Sequence, residues 1–314
     1  MTAATDRAVR ADDGEDLTVV PRRSPLNLVG IVVLAVLGAM LVHTLVTNDN
    51  FEWGVVKLYL NAEAIAKGAL LTVELTAISM VLGVLLGIVL AVMRLARSRV
   101  LSTSAWAYVW FFRGTPLLIQ LIFWFNLSAL FPRLSLGIPF GPEFVSGSAN
   151  AFITPFVAAL LGLSLNEGAY MAEIVRGGLL SIDRGQSEAA QALGMRPAKT
   201  LRRVILPQAM RAIVPPTANQ TLSMLKNTSL VSVLGAADLL HATQIIYSRT
   251  YQTIPLLIVA ALWYLAMTSV LSVGQYYLER FYRRGDLGAS RRRLFPRRRA
   301  AEAAGADSPK EVSR

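Results

Sequence analysis

The chain alternates between apolar blocks and polar joints, and the blocks fall at 26–46, 68–93, 106–130, 152–172, 215–234 and 254–278. Each is close to the roughly 20 residues that a helix needs to cross a bilayer. None keeps the period-two alternation of a barrel strand, and all are too long for one. The pattern predicts an all-α integral membrane protein with about six transmembrane helices. The block at 215–234 is the most polar of the six. Between the fourth and fifth blocks lies the joint 188–207, EAAQALGMRPAKTLRRVILP, which carries Arg196, Lys199, Arg202 and Arg203 and no acid after Glu188.

Composition narrows the class further. Charged residues make up 16% of the 314, whereas a soluble domain usually carries about 25%. The net charge of +11 would point a soluble chain toward nucleic acid. Here the basic residues flank apolar blocks, so they read as topology signals instead. Arg22, Arg23, Arg94, Arg97, Arg99, the 188–207 joint and the tail from Arg280 fall on one side. Lys57, Lys67, Arg133 and Arg249 fall on the other. Positive-inside asymmetry then places both termini in the cytoplasm of a multi-pass cell-membrane protein. The Arg-rich segment 284–314 reads as an anchor for anionic headgroups rather than for nucleic acid. Residues 1–25 are polar and read as a disordered tail, and 26–47 as a retained span, because no small-residue cleavage site follows it. The segment 131–150, with Pro142 and Gly147, reads as an irregular outer loop. No cysteine is present and the two histidines, His43 and His241, lie far apart, which leaves no metal-spaced cluster.

Polar residues inside the blocks carry the candidate chemistry. On a helix, Asn219, Ser223 and Lys226 share a face by i, i+4, i+7 spacing. Gln220 and Asn227 widen that stripe. A charge at mid-membrane is costly unless it faces a bundle interior or wet cavity. The alternative for the amides and hydroxyls is helix-to-helix hydrogen bonding. Glu74 lies near an outer end. Glu167, after Asn166, is placed to contact a polar substrate, to pair with Lys226 or Arg113, or to hold helices in register. Arg113-Gly114-Thr115-Pro116 interrupts the third block with a kink or a full break. The sequence holds no nucleophile–base set and no G-x-x-x-x-G-K-[ST] loop. If ATP drives the protein, another chain binds it.

In the joint, Glu188 reads as the opening of a short helix, where a negative charge is favourable. Ala189, Ala190, Ala192 and Leu193 give it a small, close-packing face. Gly194 allows a break, and Pro197 suits the first turn of a second helix.

Together these strings resemble the inner-membrane permeases of ATP-binding-cassette importers, and specifically the polar amino acid uptake (histidine/glutamine-type) family. EAA-x-x-x-G followed after nine residues by I-x-L-P is matched from Glu188 through Gly194 to Pro207, with Val204 in the usual Ile place. FRGTPLL matches from Phe112 to Leu118, GAYxAEIxRGG from Gly168 to Gly178, GQxEAAxALGM from Gly185 to Met195, and LKNTSL from Leu225 to Leu230. The resemblance implies a five-helix, MetI-like permease core at 68–283, with a coupling loop at 180–214. The 26–47 span and the Arg-rich tail are additions to that core. It implies a dimer with a second copy or a paralogue, two ATPase subunits and an extracytoplasmic amino-acid-binding protein. ATP and Mg belong to the ATPases, and no cofactor is implied for this chain. Glu188, Ala189, Ala190, Leu193, Gly194, Met195 and Arg196 become the ATPase-coupling residues. Arg113, Asn166, Glu167, Asn219, Ser223 and Lys226 become candidates for the substrate path. The alternative is an ATPase-independent channel or secondary carrier for a small polar solute, of the kind often built from internal repeats, and the sequence shows none.

Overall fold

The computed structural model describes residues 25–138 and 143–283. The chain divides into two compact units at Glu52. The first contains α1 (Pro25–Thr47) and a 3-10 turn at Asp49–Phe51, where the Asn48 side chain accepts from the Asn50 amide at 3.0 Å. Helix α1 is apolar on every side, the pattern of a helix immersed in hydrocarbon. The tails expected at 1–25 and 284–314 lie outside the described residues, apart from Pro25.

The second unit begins with α2 (Trp53–Leu60), α3 (Glu63–Leu95), α4 (Arg99–Gly114), α5 (Leu117–Phe125) and α6 (Leu127–Leu130). Strands β1 (Arg133–Gly137) and β2 (Glu143–Ser148) follow, then α7 (Ala149–Phe152) and α8 (Pro155–Leu180). Next come α9 (Arg184–Ala192), α10 (Pro197–Thr200) and a π turn at Leu201–Ile205, which runs into α11 (Leu206–Asn227). A 3-10 stretch at Thr228–Leu234, α12 (Leu239–Thr250) and α13 (Thr253–Arg283) complete it.

The centre of this unit is the α3–α8 pair. Gly83 and Gly87 on α3 have the G-x-x-x-G spacing that lets membrane helices approach closely. A Cβ on Gly83 would stand 2.6 Å from Glu167 Cγ, and one on Gly87 would collide with Met171 Cβ. Around the pair, Leu75, Leu121, Leu163, Met224 and Val231 join α3, α5, α8 and α11 in one core. A second core brings Val56, Ile65, Ala69, Leu239 and Val259 together, and Trp263 Nε1 donates to the Leu60 carbonyl at 3.0 Å. Helix α8 starts where Thr154 Oγ1 accepts from the Val157 amide and Pro155 occupies the first turn.

Three expectations change. Among the described residues, three helices are long and apolar enough to cross a membrane, or five if each bent pair counts as one span. This measure does not reach the expected count of about six. The difference falls on α8, whose 26 residues would reach about 39 Å but include Asn166, Glu167, Glu173 and Arg176. Packing by neighbouring helices, rather than lipid, hides those groups. The block expected at 106–130 is also not one straight span. Helices α4 and α5 meet at 101°, far beyond a simple proline kink. Gln120 Nε2 holds the corner by donating to the Phe112 carbonyl (2.9 Å) and to the Thr115 carbonyl (3.1 Å) and hydroxyl (2.8 Å). Finally, the outer loop is not wholly irregular. Strands β1 and β2 pair antiparallel from Arg133 opposite Ser148 to Gly137 opposite Glu143, with a bulge after Leu136.

Candidate functional site

The 188–207 joint folds as two short helices at a defined corner. Helix α9 begins at Arg184, not at Glu188, because the Asp183 carboxylate accepts from the Gly185 amide at 2.7 Å and caps the first turn. Glu188 consequently sits in mid-helix. At the other end the Gly194 amide donates to the Gln191 carbonyl (2.8 Å) and the Met195 amide to the Ala190 carbonyl (3.0 Å). This crossed pair is a Schellman cap, which needs its last residue in the left-handed region. Gly194 is there, at φ 72°. Pro197 then opens α10, with Arg196 at its N-cap.

What this corner presents is mostly surface. Ala190 is buried, and Met195 half-buried beside the cap, while Glu188, Ala189, Ala192, Gly194 and Arg196 are exposed. Leu193 is 82% exposed at the tip. Arg184, Arg196, Lys199, Arg202 and Arg203 lie on the same stretch of chain, all exposed. One strut ties the pair back to the bundle, as Gln208 Nε2 on α11 donates to Gln186 Oε1 on α9 at 3.2 Å. Asp183 and this strut were missed in the sequence, although Asp183-x-x-Gln186 has the outline of a capping box. The result is a stiff, cationic knuckle with a bare leucine.

The polar residues of the spans fall into separate settings. Glu167 is buried where α3, α8 and α11 meet, and its Oε2 accepts from Gln220 Nε2 at 3.2 Å. Its Oε1 is buried with no hydrogen-bond partner. Neither Lys226 nor Arg113 forms an ion pair with it, and the hydrogen bond it accepts here joins α8 to α11. Asn166, one residue earlier, is turned toward α4 and α5. Its Nδ2 donates to the Phe112 carbonyl (3.0 Å) and to Gln120 Oε1 (3.2 Å), which braces the α4–α5 corner. Arg113 lies on that same side, with its guanidinium carbon 5.2 Å from the centre of the Tyr170 ring.

On α11 the residues of the stripe divide, with Gln220 bonded to the buried Glu167 and Ser223 half-buried. Asn219 is exposed, and its Oδ1 accepts from Gln275 Nε2 on α13 at 2.6 Å. Ser223 Oγ donates to the Asn219 carbonyl. Lys226 is exposed at a cavity of about 320 Å³ that Ser229, Leu240 and Tyr264 also line. Glu74 is exposed on α3. Asp238 escaped the sequence reading. It is fully buried and caps α12, accepting from the amides of Leu240 (3.2 Å) and His241 (3.1 Å). The only cue was an acid immediately before an apolar helix.

The comparisons with known proteins agree with this architecture. Residues 83–284 match the family described as binding-protein-dependent transport system inner membrane component. The arginine transport system permease protein ArgU of Corynebacterium glutamicum is 44% identical over 268 residues, which are 85% of this chain and 83% of that protein. The L-cystine transport system permease protein TcyB of Bacillus subtilis is 38% identical over 68% of this chain and 84% of its own length. A crystal structure of an amino acid ABC transporter with histidines superposes with a TM-score of 0.59 at 36% identity, over 69% of this chain and 93% of that one. The inward-facing MetNI methionine ABC transporter shares the fold at a TM-score of 0.54 and 20% identity, over 70% of this chain and 97% of that one. This chain belongs to the binding-protein-dependent transport system inner membrane component family, the permease subunits of ABC importers.

Proposed function

We propose that the chain carries a polar amino acid inward across the cell membrane, with both termini and the α9–α10 knuckle in the cytoplasm. Two ATPase subunits bind and hydrolyse ATP with Mg. A second permease copy or paralogue completes the membrane path, and an extracytoplasmic amino-acid-binding protein delivers the substrate. The names of the similar proteins, which cite arginine transport, L-cystine transport and an amino acid ABC transporter with histidines, support an amino acid as the cargo.

The observation that carries the reading is the knuckle. An exposed leucine on two helices joined by a Schellman cap, with five exposed basic residues on the same stretch, is a surface that the described residues leave uncovered at Leu193. Glu188, Ala189, Ala190, Leu193, Gly194, Met195 and Arg196 then seat in a cleft of the ATPase. Closure of the ATPases moves the knuckle as a body, and the strut from Gln186 to Gln208 passes that motion to α11. Asn219, Ser223 and Lys226 face the path on α11, and Glu167 anchors that helix to α3 and α8.

The test is co-purification with the ATPase and binding protein, reconstitution in vesicles, and ATPase stimulation across an amino-acid panel. Gly194→Asp puts a side chain on a left-handed residue, so it is expected to insert normally and abolish coupled uptake. Normal ATP-dependent uptake by that variant would sink the lever. Uptake by the permease with no ATPase present would favour the secondary-carrier alternative.

A further inference from the structure

We propose that Arg94, Arg113 and Arg176 form a binding site for the phosphate headgroup of an anionic membrane lipid, at the ends of α3, α4 and α8. The proposal rests on the orientation given above only in naming the leaflet, which is the inner one.

Two guanidiniums from two helices share the Glu173 carboxylate, and a third, from Arg113 on α4, lies on the ring of Tyr170 one turn away. Arg176 takes most of it, with Nη2 and Nε at 2.6 Å and 3.1 Å from Glu173 Oε2. Arg94 stands at 3.7 Å from Glu173 Oε1, at the edge of ion-pair range, and its Nε is buried without a hydrogen-bond partner. Arg113 rests on the Tyr170 ring, one turn before Glu173, and has no carboxylate within ion-pair distance among the described residues. Arg94 Nε is thus a buried donor left over, and the exposed Arg113 offers its guanidinium beside it with no carboxylate of its own. A phosphate is the anion that the guanidinium fork fits best, through two parallel N–H···O bonds.

The setting selects a lipid as the source of that phosphate. Arg94 lies in the last turn of α3, and Glu173 and Arg176 lie within the last two turns of α8, where headgroups meet hydrocarbon. Trp106, Trp110 and Arg113 share one face of α4 by i, i+4, i+7 spacing. The two indoles stack at 6.2 Å and remain exposed, an apolar wall for an acyl chain on the face of α4 that carries Arg113. A free phosphate ion has no use for that wall.

The experiment is native mass spectrometry of the full chain in detergent, with phosphatidylglycerol or phosphatidylcholine of the same acyl chains. The wild type is expected to retain phosphatidylglycerol preferentially. Arg94→Gln with Arg176→Gln is expected to weaken retention about 25-fold, at about fivefold per arginine. The pair Arg202→Gln and Arg203→Gln, which loses the same charge from the knuckle, is expected to change it much less. Arg113→Gln removes only a ring contact, so it keeps the fold and is expected to weaken retention about fivefold. Equal losses for both pairs, or no loss for Arg113→Gln, would overturn the site. Displacement of phosphatidylglycerol by inorganic phosphate alone would overturn the lipid assignment. None of these readouts involves transport, so failure of the importer reading would leave them standing.

Discussion

In the α3–α8 pair, small residues remove surface, whereas in the α9–α10 pair they leave it open. Gly83 and Gly87 let two backbones close until Glu167 and Met171 fill the space a side chain would take. Gly194 has nothing within 4 Å of the position a Cβ would occupy. Its glycine is needed for the sign of φ and not for room. The same residue type therefore specifies contact in one region and shape without contact in the other. A buried pair is judged by stability, and an unpartnered knuckle by what it binds.

Substitutions that separate those two criteria test the contrast. Gly87→Leu is expected to be the most damaging, costing about 3 kcal/mol, since the new Cβ meets Met171 and the Ala172 amide and α8 must move. The apparent melting temperature of the purified chain measures it. Gly177→Leu is the control, on an open position of α8, and is expected to change little. Similar melting for both variants would remove the close-packing account.

Gln120→Ala comes next, at about 2 kcal/mol, because the Phe112 and Thr115 carbonyls and Asn166 each lose a partner. It breaks the α4–α5 corner without touching the glycine pair, so melting falls while the α3–α8 contact persists. Cross-linking of α3 to α8 through introduced cysteines would reveal an unexpected spread of the damage.

Leu193→Ala has the smallest expected effect on stability, under about 0.5 kcal/mol, as befits an exposed side chain. Its affinity for the ATPase, by titration of the purified subunits, is expected to fall about 30-fold, the scale of an interface anchor. A loss of melting temperature without loss of affinity would reverse the assignment of the two regions.

How far the sequence revealed all this depends on what each feature depends on. Apolar runs mark α1, α3 and α13 well, because hydrocarbon imposes their composition residue by residue. They stop short on α8, at 172 rather than Leu180, because Glu173 and Arg176 read as solvated polar residues. The fold pairs them with each other and with Arg94. The break at Pro116 was visible as a local event, but its 101° is fixed by Gln120 and Asn166, which are brought together only by tertiary packing. The knuckle was legible as a motif because its cap is local. Its start was misplaced by four residues because Asp183, not Glu188, satisfies the first amides. The separation of Glu167 from Arg113 and Lys226 had no signal at all, since side-by-side placement of helices has no one-dimensional trace.

Between the knuckle and α11 the chain passes through the π turn at Leu201–Ile205. A π turn holds one residue more than an α turn, and each residue of an α-helix is worth about 100° of rotation. Five residues therefore set the phase of everything beyond them. If the turn relaxed to ordinary α geometry, Asn219, Ser223 and Lys226 would swing through about a quarter-circle relative to α9. The compass bearing of the polar face is thus written in a segment that holds none of its residues.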